Sequence, residues 1–334
     1  MKSLRAALLI GTLFTSLIPA SHSMLMTPAY AQEQSLPDII SKVMDSVVVV
    51  TLNETVPITS GKTQDMVGTG TGFIIGSDGI IVTNYHVVNA EGKITSLTVT
   101  LTNGKKFPVK VIIGKDKRFD LAVLKIDTKF DLPTVQFGDS DKVRVGQDVF
   151  AIGNPFNLDF TVTKGIISAK HRETNGPYDD FLQTDASINP GNSGGPLFDM
   201  EGKVIGIDSA IISPSKASDG LGLAIPSNLA SKAIDKLVQY GFIDRGMIGI
   251  QTKESDDGRG VFVVVVNKGG PADEAGLKVG DEIIKFGDVM VNTGHDIVNV
   301  VGDTTPGTMV DIVILRNGNE LHVSIVVGRL KQED

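Results

Sequence analysis

Gly191-Asn192-Ser193-Gly194-Gly195-Pro196-Leu197 sets one serine among glycines, with nothing bulky beside it. A serine hydroxyl becomes a nucleophile when a base takes its proton and nearby donors stabilise the oxyanion that forms. Glycines let the backbone turn tightly enough to aim its N–H groups there. The stretch fits G-x-S-x-G, a pattern shared by two hydrolase folds and by idle glycine-rich turns. In one of those folds a helix must follow the nucleophile. Here Gly194-Gly195-Pro196 would break such a helix, and the residues beyond return to strand texture.

Upstream and downstream of this stretch the texture is that of short strands. Runs of Val, Ile, Leu and Thr at 47–52, 72–75, 80–84, 96–102, 109–113, 121–126, 148–152 and 203–207 are broken every ten residues or so by Gly, Asn or Asp. That spacing predicts an antiparallel barrel or sandwich rather than alternating βαβ units. A short helix is expected from Leu36, with Ser35 as N-cap and Pro37 in its first turn. A longer helix is expected from Ser227 as N-cap to Gly241, with Leu229, Ala233, Ile234, Leu237 and Val238 at helical spacing. Beyond it lies a second β-rich unit, with strands at 260–267, 282–286, 309–315 and 321–327 and short helices near 272–275 and 295–301. Two phosphate-loop patterns fail on context. Gly68-Thr-Gly70-Thr-Gly72 leads into strand, and Gly61-Lys62-Thr63 lacks its first glycine, Val56 standing there.

Of five histidines, only His86 follows a strand in the same unit as Ser193. Asp120 immediately precedes the apolar strand Leu121 to Ile126 and supplies a carboxylate at a strand end. Asp116, Asp127 and Asp185 are alternatives, each read as a turn residue. The order His86, Asp120, Ser193 is that of a chymotrypsin-like double β-barrel, not of an α/β-hydrolase, in which serine comes first. Fold class and chain order therefore agree on a mostly β protein.

Thr83 to Val88 around His86, Asp120 to Lys125 after Asp120, and Asn189 to Leu197 around Ser193 together resemble the signature segments of HtrA (DegP/DegS-type) serine proteases. Supporting stretches are Gly70 to Phe73, Gly153 to Phe156, Gln183 to Ala186 and Gly222 to Pro226. The resemblance implies Ser193 as nucleophile, His86 as general base and then acid, and Asp120 as the residue that orients His86. It implies an oxyanion hole from the N–H groups of Gly191 and Ser193. Ser187 stands where basic-specific relatives carry an acid, and Ile188 and Ile207 would make the pocket apolar, which implies cleavage after small or medium aliphatic residues. Gly260 to Arg329 resembles a PDZ domain, above all from Gly269 to Ile284. Its carboxylate-capturing loop would be Gly246, Met247, Ile248, Gly249 and Ile250, Met247 replacing a usual aromatic, and Ile297 and Val301 fit either groove or core. Arg172 matches a sensor arginine that couples peptide engagement to the oxyanion hole. Unfolded proteins as substrates, C-terminal peptides at the PDZ groove and a homotrimer are further implications. The alternatives to a protease of unfolded envelope proteins are a membrane-anchored regulatory protease of narrow substrate range, suggested by the single PDZ domain and short Asn53 to Val67 segment, and a chaperone or binding scaffold with little proteolysis. Asp208 stands where asparagine is usual.

Composition narrows the rest. A net charge of −8 without a basic block excludes nucleic acid as an expected partner. With no cysteine there is no disulfide, thiolate metal site or cysteine nucleophile, and no metal or cofactor is implied. Lys2 and Arg5, the uncharged run from Ala6 and the small residues Ala29 and Ala31 read as a signal peptide over 1–31, with an uncleaved anchor as the alternative. The expected organisation is this signal, a trypsin-like protease domain over 32–241 and a PDZ domain over 242–334, in a periplasmic protein.

Overall fold

The computed structural model describes residues 35–58, 61–155, 160–174, 180–211, 219–255 and 260–331. The expected signal peptide lies outside them. Among the described residues no helix is long and apolar enough to cross a membrane.

After the amphipathic helix α1 (Leu36–Val43), six antiparallel strands close a barrel. They are β1 (Val47–Ile58), β2 (Lys62–Gly76), β3 (Ile80–Thr83), β4 (Lys93–Leu101), β5 (Lys106–Asp116) and β6 (Leu121–Ile126), in the order β1-β2-β3-β6-β5-β4. The valine run that opens β1 is buried on both faces. Val48 and Val50 fill this barrel, whereas Val47 joins the core behind it. The turn between β3 and β4 holds α2 (Tyr85–Val88), which carries His86.

A second closed barrel follows: β7 (Asp148–Gly153), β8 (Thr161–Arg172), β9 (Phe181–Thr184), β10 (Pro196–Asp199), β11 (Val204–Ile211) and β12 (Gly222–Pro226), ordered β10-β11-β12-β9-β8-β7. The expected double β-barrel is therefore the observed one. Four of these strands, β8, β9, β10 and β12, have no counterpart in the sequence reading. Three of them are only four or five residues long and two of these contain proline, so no two-residue alternation can build up.

The helix α3 (Ser227–Tyr240) ends at Gly241 in the left-handed region, as expected. Its start differs by one residue: Pro226 occupies the cap position, and the Ser227 hydroxyl donates to the Gly138 carbonyl instead of capping. Ala230, Ala233, Ile234 and Leu237 bury its apolar stripe in a core that also holds Phe73 and Val82 of the first barrel and Phe150, Ile152 and Phe198 of the second. That shared core fixes the two barrels against each other, and the site lies where their strand ends meet.

The C-terminal unit has its own core, built on Val261, Ile283, Phe286, Ile312, Ile314 and Ile325. It contains β13 (Gly246–Met247), β14 (Ile250–Glu254), β15 (Val261–Val266), β16 (Glu282–Phe286), β17 (Val289–Met290), β18 (Met309–Arg316), β19 (Asn319–Val326) and β20 (Gly328–Arg329). The sheet runs β14-β15-β16-β18-β19, leaving β14 at an edge. Helices α4 (Pro271–Glu274) and α5 (Gly294–Asp303) complete it, α5 starting in a capping box between Thr293 and Asp296.

Candidate active site

Three elements bring the predicted residues together. His86 stands in α2 beyond β3, Asp120 immediately before β6, and Ser193 in the loop that leads into β10. The first two come from one barrel and the third from the other. Both Asp120 oxygens lie against His86 Nδ1, at 2.9 and 3.0 Å, and Asp120 Oδ1 also accepts the His86 backbone N–H at 3.0 Å. The Asp120 backbone is left-handed, φ 51, a conformation that aspartate tolerates better than most residues. The Asn84 side-chain amide holds its carbonyl at 2.8 Å.

Sequence reasoning missed a fourth member, Ser209 on β11. Its hydroxyl donates to Asp120 Oδ2 at 2.7 Å, and its carbonyl accepts the Ser193 hydroxyl at 3.4 Å. Among the described residues no hydrogen bond joins Ser193 to His86, so the serine proton points to Ser209 rather than to the histidine. Thr71 of β2 is another omission. Its N–H donates to the Ser193 carbonyl, its hydroxyl donates to the Gly191 carbonyl, and the same oxygen accepts the Asn154 N–H. It ties the nucleophile loop to the first barrel. Ser209 carries no sequence signal of its own, and Thr71 lies in the quoted stretch Gly70 to Phe73 without its role being readable, because the partners of both are brought near only by the two closed barrels.

Within the loop, Gly191 (φ 104) and Gly194 (φ 84) are left-handed. A Cβ on Gly194 would lie 2.3 Å from the Thr71 carbonyl oxygen, so a side chain is excluded on both counts. The N–H groups of Gly191 and Ser193 meet no acceptor among the described residues, as donors awaiting an oxyanion require.

The pocket residues divide. Ser187 is exposed, and its carbonyl accepts the Asn192 side-chain amide at 3.3 Å. Ile188 is buried inside the second barrel, but Ile207 faces the other way, into the core shared with α3. The alternation of β11 therefore turns its neighbour Asp208 inward. Arg172, at the end of β8, donates from Nε to Gln183 Oε1 at 2.8 Å. Of the alternative carboxylates, Asp127 pairs with Lys110, Asp185 accepts the Ile166 N–H, and Asp116 forms a buried ion pair with Arg245.

In the C-terminal unit Gly246 and Met247 pair with Gly328 and Arg329, and Ile250 opens β14. The Ile248 and Gly249 carbonyls accept the N–H groups of Ala272 and Asn267, while the Ile248 and Gly249 amides meet no acceptor among the described residues. Ile297 and Val301 belong to the core. The free edge of β14 beside α5 is the geometry of a strand-addition groove.

Residues 70–207 match the model of a trypsin-like peptidase domain, and residues 246–327 that of a PDZ domain. A probable periplasmic serine endoprotease DegP-like of Rickettsia prowazekii (strain Madrid E) is 43% identical over 287 residues, 81% of this chain and 55% of the relative. That of Chlamydia muridarum (strain MoPn / Nigg) is 42% identical over 277 residues, 79% of this chain and 55% of the relative. The chain thus spans about half the length of these curated relatives. Among solved structures, the HtrA-type protease AlgW with decapeptide superposes with a TM-score of 0.81 at 34% identity, over 90% of this chain and 100% of that one. The serine endoprotease from Yersinia pestis gives 0.73 at 35% identity, over 89% and 99%.

Proposed function

The chain belongs to the HtrA-type family of serine proteases, and on that premise we propose that it is a periplasmic serine endopeptidase that degrades or processes unfolded envelope proteins. The observation that carries this reading is the His86–Asp120 pair on one barrel facing Ser193 on the other. In the reaction Ser193 Oγ leaves the Ser209 carbonyl and gives its proton to His86 Nε2 as it attacks the scissile carbonyl. Asp120, gripping Nδ1–H, keeps the ring in the one tautomer that presents a basic Nε2 and stabilises the imidazolium that results. The Gly191 and Ser193 amides receive the oxyanion, each worth about 3 kcal/mol in the transition state. His86 then returns its proton to the leaving amine. The resulting acyl-enzyme is hydrolysed by water, activated by the same histidine.

Ile188 gives the primary pocket its apolar wall, and the residue N-terminal to the cut is small or aliphatic. The PDZ unit takes C-terminal peptides, its Ile248 and Gly249 amides capturing the carboxylate and the β14 edge pairing with the peptide strand. Arg172 relays that engagement through Gln183 on β9, and the working assembly is a homotrimer. The test is digestion of an unfolded protein by the wild type and by Ser193→Ala, with and without a C-terminal peptide. Cleavage by the wild type alone, stimulated by the free-acid peptide and not by its amide, is expected. Equal digestion by both would refute the mechanism, and undiminished stimulation in Arg172→Ala would remove that residue from it.

A further inference from the structure

Asp208 is fully buried, and neither of its carboxyl oxygens has a hydrogen-bond partner among the described residues. A buried polar group left unpaired costs about 1–3 kcal/mol, so the position calls for a reason. Strand register shows where the side chain points. Asp208 of β11 stands opposite Ala224 of β12, which stands opposite Leu182 of β9, and residues so paired share one face of the sheet. Gly206, two residues earlier, marks the same face: a Cβ there would lie 3.0 Å from Ala224 Cβ and 3.7 Å from Leu182 Cδ1. Leu182 and Ala224 belong with Ile188 to the apolar interior of the second barrel. Ile188 packs on Gly222, the first residue of β12, where a Cβ would meet Ile188 Cγ1 at 2.7 Å.

The backbone of Asp208 is also bound to the nucleophile loop. Its carbonyl accepts the Gly194 N–H at 2.7 Å, and its N–H donates to the Gly195 carbonyl at 2.9 Å. The carboxyl therefore lies in the barrel interior, on a strand whose backbone holds the two residues that follow Ser193. The polar side chains of the adjoining strand and loop bond elsewhere, apart from Asn192 Oδ1, which meets no donor among the described residues. Gln183 holds Arg172, the Thr184 hydroxyl donates to the Ile166 carbonyl, and the Asn192 amide donates to the Ser187 carbonyl.

We propose that Asp208 is a specificity-determining residue, the polar end of the primary substrate pocket, which receives a side chain of valine size carrying a hydroxyl, threonine above all. The proposal rests on the reading that Ile188 lines this pocket. The apolar barrel holds the Asp208 carboxyl neutral by pushing its pKa well above the ordinary range. A neutral carboxyl offers one O–H donor and one carbonyl acceptor, the complement of a hydroxyl that both donates and accepts. A lysine ammonium would instead require an ion pair inside that apolar interior.

The experiment measures kcat/KM for two peptides that differ only in threonine or valine before the cut, on the full chain. A purely apolar pocket favours valine over its hydroxylated isostere by about 100-fold. The wild type is expected to cleave the threonine peptide at least as well as the valine one. In Asp208→Val the threonine-to-valine ratio should fall about 100-fold, while Asp208→Asn, which keeps a donor and an acceptor, should stay within a few-fold of the wild type. The ratio is internal to each variant, so a general loss of activity does not affect it. If Asp208→Val fails to fold, the wild-type and Asp208→Asn ratios still decide. A strong valine preference in the wild type, an unchanged ratio in Asp208→Val, or dominant cleavage after lysine would overturn the proposal. Failure of the wild type to cleave either peptide would instead overturn the protease reading beneath it.

Discussion

Asp120 receives donors from two different barrels: the His86 ring and backbone N–H from one, the Ser209 hydroxyl from the other. A hydrogen bond to a charged group contributes about 1.5–3 kcal/mol, and this one fixes the carboxylate that orients the proposed base. Ser209→Ala is therefore expected to lower kcat/KM between about tenfold and a hundredfold, mostly in kcat, with little change in melting temperature. A peptide assay alongside thermal denaturation checks both. Asp208 makes a prediction of a different kind. An unfolded aspartate ionises near pH 4, whereas the buried one stays protonated well above that. Between those values the native state binds more protons than the unfolded chain, so the stability present below about pH 4 is lost as pH rises, by at most about 1.4 kcal/mol per unit. Asparagine does not titrate, so the melting temperature of Asp208→Asn should gain on the wild type from pH 4 to pH 7; a constant difference would mean that the carboxyl is not neutral. His86, Asp120 and Ser193 were legible because each sits at a strand end inside a distinctive local stretch. Ser209 and Thr71 were not, since their partners are 89 and 120 residues away. Ile207 was assigned to the pocket from its apolar character alone, whereas the period of two in β11 hands that face to Asp208.

At the scale of elements, the segment between α3 and β13 is anchored by one buried ion pair. Arg245 reaches back to Asp116 at the end of β5, with guanidinium-to-carboxylate distances of 2.5 and 3.1 Å, and stacks on the Phe119 ring at 4.5 Å. Both side chains are more than nine-tenths buried. Removing one partner of such a pair leaves an uncompensated charge and costs about 3–5 kcal/mol, whereas replacing both with apolar groups is often close to neutral. Arg245→Ala should accordingly lose about that much in urea denaturation, and Asp116→Leu with Arg245→Met should recover most of it. Additive losses in the double variant would show that the two residues act separately. Asp116 was read as a turn residue, and it does accept the Phe119 N–H at 2.8 Å as such a residue would. Its second role was invisible because Arg245 lies 129 positions away, beyond both barrels. Elements of strong period were found nearly intact, as with β6, β16 and α3. Of those missed, β8 to β10 and β12 are held by their neighbours in a closed barrel and not by their own pattern, and β13, β14, β17 and β20 of the C-terminal unit were missed as well.

The whole molecule contains two kinds of boundary. The barrels share a core with α3 and divide the proposed triad between them, so neither can loosen without separating Ser193 from His86 and Asp120. Among the described residues the C-terminal unit shares no core residue with that assembly; its apolar cluster gathers around Ile283, Phe286 and Ile314. The hydrophobic pattern announced this division, whereas the way one site is shared across two barrels follows only from their packing. Cooperativity should follow the cores. Calorimetry is expected to resolve two transitions, one for the paired barrels together and one for the C-terminal unit. Ile314 is completely buried in the latter, and truncating such a side chain costs about 2–5 kcal/mol. Ile314→Ala should lower that transition alone, abolish stimulation by C-terminal peptides at temperatures above it, and leave the basal cleavage of a short peptide substrate in place. A single transition that moves as one, with basal cleavage lost at the same temperature, would mean that the C-terminal unit supports the active site through the Arg245 segment rather than standing beside it.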